Sequence, residues 1–407
     1  MTETMPPPLF DPFAPGFTDD PYPQYAVMRA QAPVYQHPFG FWLLTRYEDV
    51  SWLLRAGLSV EDDNVATDSL LRQLREEVYG DGAPRASALS MLDRDPPDHT
   101  RLRKLVSKAF TPRAIEALRP RITELVDGML DDMAAQRRVD LVDALAFPLP
   151  FSVIAEMLGT PPADHERIRQ LTGTVVRSLE PVADPALIQA ILAADEEMSQ
   201  VAAEMIAWKR ANPADDLLTA LIHAEDDGDV LDDDELVAQT LLLYIAGHET
   251  TVNLIAGGTL ALLHYPAQLA LLRDDPALVG NAVEELLRYD SPVQASRRIT
   301  LEPVTVGGVE IPAGAFVMAS LGSANRDQSY WGPDAGQLRL DRENARQHVS
   351  FGAGPHHCLG ASLARLEASI AFEHLVGRFP GLALDGEVVW NGRINLRGPA
   401  HLPVSVN

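Results

Sequence analysis

The chain has 407 residues, a formal charge of -25 and a pI near 4.7, so nucleic acid and anionic membrane surfaces would repel it at long range. Its one cysteine, Cys358, excludes an intrachain disulfide and a zinc site of several thiolates, which suits a reducing compartment. No basic stretch followed by an apolar run opens the chain, and no window offers the roughly 20 apolar residues of a membrane span; a soluble cytoplasmic protein is expected, without nucleic-acid or membrane partners.

Residues 1–16 are rich in proline and read as irregular, and with no fixed repeat or long linker, residues 1–407 are expected to form a single domain. "FWLLTRY" (41–47) alternates like a strand. "DPPDHTRLRKLVSKAFTPR" then carries Arg101, Arg103, Lys104, Lys108 and Arg113 with no acid from Arg101 to Arg113, against the charge of the rest of the chain. That reversal is either a solvated basic face or a site for an anionic partner. Leu102, Leu105, Val106 and Phe110 make an apolar stripe, so the segment is an amphipathic helix on which His99 and Arg103, four apart, share a face.

After the acidic loop "HAEDDGDVLDDDE" (223–235), Asp232 and Glu235 form a capping-box start and Pro266 a stop. The helix between them, roughly 45 Å long at ~1.5 Å per residue, has no consistently polar face and should be central and buried. His248-Glu249-Thr250-Thr251 interrupts its apolar run, and a buried carboxylate is costly unless paired or functional. In "PALVGNAVEELLRY" (276–289) the apolar stripe leaves Glu285 and Arg288 off its centre, which periodicity reads as a surface ion pair. Val304 and Val306 mirror Val309 and Ile311 across Gly307-Gly308, a two-residue hairpin signal, and "RINLRGPAHLPVSV" (393–406) ends the chain with strand-like alternation. The fold class is mainly α with a smaller β region.

Cys358 sits in "FGAGPHHCLG" (351–360) among Gly352, Gly354 and Gly360, beside His356 and His357. A lone cysteine is commonly a buried apolar residue. Glycines, however, let backbone N–H groups approach a sulfur closely, and a sulfur so held is an anion. A nucleophile would want a base from elsewhere in the fold and an oxyanion site, and zinc would want a fourth ligand. A haem iron needs one thiolate, together with cations for two propionates.

Together these residues resemble the cytochrome P450 family, its soluble bacterial members in particular, over nearly the whole chain. Phe351 to Gly360 matches Phe-Gly-x-Gly-x-His-x-Cys-x-Gly at every defined position, and Asp95 to Arg103, Ala246 to Thr251 and Glu285-Leu-Leu-Arg288 occur in the family's order. The resemblance implies a single-domain P450 fold, a triangular prism with a long central helix over haem b. Cys358 would be the axial thiolate, with Phe351, Gly352 and Gly360 about its sulfur. His99, Arg103, Arg298 and His356 would pair the propionates, Arg297 being the alternative to Arg298. Ala246 and Gly247 would present a small surface over the iron. Glu249 and Thr250 would be the acid and alcohol that deliver protons into an apolar pocket. Glu285 and Arg288 would be a buried brace rather than a surface pair.

By position, Met91, Leu92, Leu242, Ile245, Ala246, Val293 and Asn395 would line the substrate pocket, although Asn395 also reads as an exposed loop residue. The implied activity is a monooxygenase inserting one oxygen atom of O2 into a small apolar substrate by hydroxylation or epoxidation. Electrons would come from a separate ferredoxin and its NAD(P)H-dependent reductase, docked on the helix of Arg101, Lys104 and Lys108. A non-catalytic haem or ligand binder on the same fold, or a peroxide-driven variant, is the alternative; the intact Glu249-Thr250 pair favours the monooxygenase.

Overall fold

The computed structural model describes residues 8–70, 72–73, 76, 89–108, 110–160, 165–180, 184–226 and 228–406, so the first part of the Pro-rich opening lies outside the described residues. The helices of eight or more residues are α1 (Tyr22–Gln31), α2 (Tyr47–Arg55), α3 (Asp98–Ser107), α4 (Arg119–Gln136), α5 (Pro148–Leu158), α6 (His165–Val175), α7 (Pro185–Ala211), α8 (Asp233–His264), α9 (Pro266–Asp274), α10 (Val279–Tyr289) and α11 (Ala361–Arg378).

α8 is the long helix expected from the sequence. The Asp232 side chain accepts from the Glu235 N–H (2.8 Å) while Glu235 accepts from the Asp232 N–H (3.2 Å), a complete capping box, and the helix stops just before Pro266. α5, α7, α10 and α11 all pack on it. Two glycines set how close they come: a Cβ on Gly247 would meet Ile154 of α5 at 2.9 Å, and one on Gly258 would meet the Phe372 ring of α11 at 2.5 Å. Val126 and Leu130 of α4, Ile255 and Ala256 of α8, and Ile370 and Ala371 of α11 meet in one of the apolar clusters that flank it.

The main sheet holds β1 (Val34–Gln36), β2 (Trp42–Leu44), β3 (Ala295–Ile299) and β4 (Phe316–Ser320) in the order β1-β2-β4-β3. β2 runs parallel to β4, and the other two pairings are antiparallel. The expected hairpin forms with Val304 opposite Ile311 and Val306 opposite Val309. Gly307 and Gly308 take φ of +56° and +80°, as a two-residue turn of this kind requires. The last segment differs from its alternation: strands occupy Pro399–His401 and Pro403–Ser405, while 393–396 forms a turn whose N–H groups are spent on a side chain described below. Among the described residues no single helix is long and apolar enough to cross a membrane.

Candidate functional site

Gly352 (φ +67°) and Gly354 (φ +69°) bend the cysteine loop through left-handed conformations, and a Cβ on Gly354 would meet the Leu54 carbonyl oxygen at 2.5 Å. The Cys358 N–H donates to the Phe351 carbonyl (2.9 Å), closing the loop, and Gly360 then caps α11. The sulfur thus lies beside the positive end of a helix. Burial raises the Cys358 thiol, opposed by the Gly360 N–H and by Arg103 and Arg365. Yet the residue is exposed. The loop thus leaves Cys358 reachable although protein surrounds it. Phe351 is held there by Arg365, whose guanidinium lies 4.5 Å from its ring centre.

Leu359, next to the cysteine, packs on the cluster that includes Leu243 and Tyr244, so the loop abuts the centre of α8. There the helix changes character. Tyr244, His248 and Thr251 are buried, but Ala246 is exposed and Leu242 and Thr250 are half-buried. Positions 242, 246 and 250 form one i, i+4 strip facing a hollow. Gly247 faces α5, where its missing Cβ makes room for Ile154. Thr250 Oγ1 donates to the Ala246 carbonyl (3.3 Å). Glu249 does not touch that hydroxyl: its Oε2 accepts from Arg393 Nη1 at 2.8 Å, and its Oε1 lies 3.7 Å from His248 Nε2. Burial pushes His248 down and keeps it neutral, with Nδ1–H donating to the Tyr244 carbonyl (2.7 Å).

His99, Arg103, Arg298 and His356 are brought together. The two imidazole rings lie 4.1 Å apart, and Arg103 Nη2 donates to the His357 carbonyl (2.6 Å). Burial with neighbouring Arg297 pulls Arg298 down to about 10, and burial with His99, Arg298 and Arg103 pulls His356 down to about 3. His99 Nε2 is buried without a hydrogen-bond partner. Asp95, the acid that acts on both His99 and Arg298, spends an oxygen on the Val60 N–H (2.9 Å). Among the described residues no carboxylate lies within ion-pair distance of Arg298, whereas Arg297 pairs with Asp93 (2.5 Å) and Asp62 (3.3 Å). Arg298 is therefore the uncompensated cation of the two. Two guanidinium groups, an orphaned imidazole nitrogen, an exposed cysteine and a bared stretch of α8 fit an anionic prosthetic group with a metal at its centre.

The remaining pocket residues divide. Leu92 is 47% exposed on the segment that leads into α3, while Met91 is buried against Leu102 and Val106. Gln239 of α8, fully buried, fixes that wall: it accepts from the Met91 N–H (3.1 Å) and donates to the Leu89 carbonyl (3.0 Å). Ile245 faces the cluster of α6 and α7 rather than the strip of Ala246. Val293 is half-buried and bridges to Leu396. Asn395 is not an exposed loop residue; its Oδ1 accepts from the Ala295 N–H (3.0 Å) and its carbonyl from the Gln294 N–H (2.8 Å).

One further reading of a single segment is corrected. Glu285 and Arg288 are fully buried and bonded twice, at 2.6 and 2.8 Å, so the surface pair that periodicity suggested does not exist. Arg342 completes the set, with Nε 3.1 Å from both Glu285 oxygens. Arg101, expected on a docking face, is bound to Glu235 at the start of α8. Lys104 and Lys108 are exposed. Arg393, Gln239 and Arg342 carried no signal in the sequence, because each acts on a residue more than fifty positions away or on a loop without periodicity.

The cytochrome P450 family profile matches residues 181–391. Cytochrome P450 107B1 of Saccharopolyspora erythraea is 44% identical over 401 residues, covering 96% of each chain. The vitamin D(3) 25-hydroxylase of Pseudonocardia autotrophica is 43% identical, covering 97% of this chain and 96% of its own. Among solved structures, the myxobacterial cytochrome P450 CYP267B1 in complex with myristic acid superposes with a TM-score of 0.88 at 39% identity, covering 97% of this chain and 98% of that one.

Proposed function

Because this chain belongs to the cytochrome P450 family, an oxygenase family whose haem b is bound through a cysteine thiolate, and Cys358 is its only cysteine, we propose that it inserts one oxygen atom of O2 into an apolar organic substrate, by hydroxylation or epoxidation. The observation that carries this reading is the exposed residue Cys358, in a loop that abuts α8 at the bared strip of Leu242, Ala246 and Thr250. Haem bound there through a thiolate supplies dioxygen activation. Arg298 and Arg103 would pair its carboxylates, with His99 and His356 hydrogen-bonding them. Thr250 Oγ1 holds a proton at the wall of the hollow, and Glu249 can feed it only after its carboxylate turns away from Arg393. Leu92, Leu242, Ala246 and Val293 offer an apolar surface with few polar handles, and two of the similar proteins act on or bind apolar molecules, vitamin D(3) and myristic acid.

Dithionite-reduced protein exposed to carbon monoxide should give the strongly red-shifted Soret band of a thiolate-ligated haem. A band at the position of histidine-ligated haem, or protein that takes up no haem, would overturn the assignment of Cys358.

Electrons would come from a ferredoxin and its reductase in the same cytoplasmic compartment. A cleft of about 590 Å³ opens beside the cysteine loop, lined in part by Arg55, Arg346, Gly352 and His357, and it gives an acidic donor a basic seat on a negative molecule. Exposed Lys104 and Lys108 add charge on α3. Arg55→Glu and Lys108→Glu variants should each slow ferredoxin-driven reduction several-fold at low salt, roughly the effect of one rim charge, and converge with the parent rate at high salt. Equal rates at low salt would sink the docking assignment.

A further inference from the structure

The turn from Arg393 to Leu396 is held from two sides. On one side its partners are residues 292–295: the Gln294 N–H donates to the Asn395 carbonyl (2.8 Å), the Ala295 N–H to Asn395 Oδ1 (3.0 Å), and the Arg397 N–H to the Pro292 carbonyl (3.0 Å). On the other side stands Glu180, buried at the end of the 3-10 turn Val176–Leu179 that continues α6. Its carboxylate accepts from the N–H groups of Ile394 (2.7 Å), Asn395 (3.0 Å) and Leu396 (3.4 Å). Three successive N–H groups converging on one carboxylate form an anion-binding nest. Without it, a carboxylate buried to this degree would be costly.

Arg393 opens the same turn and reaches back across it. Its Nη1 donates to Glu249 Oε2 (2.8 Å) and its Nη2 to the Gly173 carbonyl of α6 (3.3 Å). α6 and the turn therefore meet at two points, Gly173 and Glu180, with the cation that holds Glu249 between them. α6 itself packs through Leu171 and Val175 against Leu241 and Ile245, beside the bared strip of α8.

We propose that Glu180 is a positioning residue: its carboxylate latches the end of α6 to the 393–396 turn, and the latched turn places Arg393 on Glu249. This rests on the proton-delivery role given to Glu249 above. Its consequence is that swinging the end of α6 away from the cavity strips three N–H groups of their acceptor and loosens Arg393 in the same movement, so access to the cavity and the release of Glu249 are coupled.

Amide hydrogen exchange on the haem-loaded full chain tests the latch. In Glu180→Ala, peptides covering 391–398 and the end of α6 should exchange about tenfold faster or more, the loss of charge-assisted bonds, while α10 and the strand Pro403–Ser405 stay at the parent rate. Imidazole mixed with the same variant should reach the iron several-fold faster by stopped-flow absorbance. Glu180→Gln keeps one of two acceptor oxygens and should fall between the parent and the alanine variant in both readouts. Unchanged exchange at 391–398, a rise spread evenly over the chain, or a glutamine variant no slower than alanine would each overturn the latch. Exchange is read on the backbone, so the outcome stands apart from whether the reduced protein shows the thiolate band.

Discussion

Replacing Arg288 with leucine should cost about 3–5 kcal/mol of stability, the usual price of stripping one partner from a buried ion pair, out of a total that for most domains is roughly 5–15 kcal/mol. Arg288 is fully buried and makes five bonds: Nε and Nη2 to Glu285 (2.6 and 2.8 Å), Nη1 to the carbonyls of Asn325 (2.8 Å) and Ala335 (2.7 Å), and Nη2 to that of Gln337 (2.9 Å). Leucine leaves the Asn325 and Ala335 carbonyls without their donor and Gln337 with only a 3.4 Å bond from Arg342, and it leaves Glu285 to Arg342 and the Arg339 N–H alone.

The damage should reach the cysteine. Asn325 Nδ2 donates to Ser291 and Ser350, Asn325 Oδ1 accepts from the Val349 N–H (2.9 Å), and the Val349 carbonyl accepts from the Gly352 N–H (2.8 Å). The brace thus fixes the strand of chain that enters the cysteine loop. The variant should show a lowered urea midpoint and a haem content per chain well below the parent. A midpoint within the equivalent of about 1 kcal/mol of the parent would mean that Arg342 alone carries the brace.

The same pair shows where sequence reading stops. Periodicity placed Glu285 and Arg288 off the apolar stripe of α10, and they are off it; what periodicity cannot register is that residues 325–342 cover that face. The capping box of α8, the Gly307-Gly308 hairpin and the glycine-shaped cysteine loop were legible because each is decided within a few residues by local geometry. The cluster of His99, Arg103, Arg298 and His356 was half legible: His99 and Arg103 share a helical face, but that Arg297 and not Arg298 is ion-paired depends on Asp62 and Asp93, far off in the chain. Arg393 on Glu249 was not legible at all, since a turn residue shows no period and its partner lies in another element.

Thr250→Ala should leave substrate affinity near the parent value while product formed per NAD(P)H oxidised falls about tenfold or more, short of the roughly 10²–10⁴-fold a positioned proton donor contributes. The reducing equivalents should appear as hydrogen peroxide. Thr250 is half-buried on the strip that faces the hollow, whereas the adjacent Thr251 is only 3% exposed and cannot take its place. The alanine loses the γ-methyl along with the hydroxyl, so serine, which lacks the same methyl, is the control that separates proton supply from packing. Thr250→Ser, which restores the hydroxyl, should recover most of the coupling. Glu249→Gln should behave differently, because it removes the acid but also the charge that Arg393 holds at 2.8 Å: turnover itself should slow, with a larger solvent isotope effect. Normal coupling in Thr250→Ala would place the proton donor elsewhere on the cavity wall, and uncoupling that serine fails to repair would assign the effect to packing along α8 instead of to the hydroxyl.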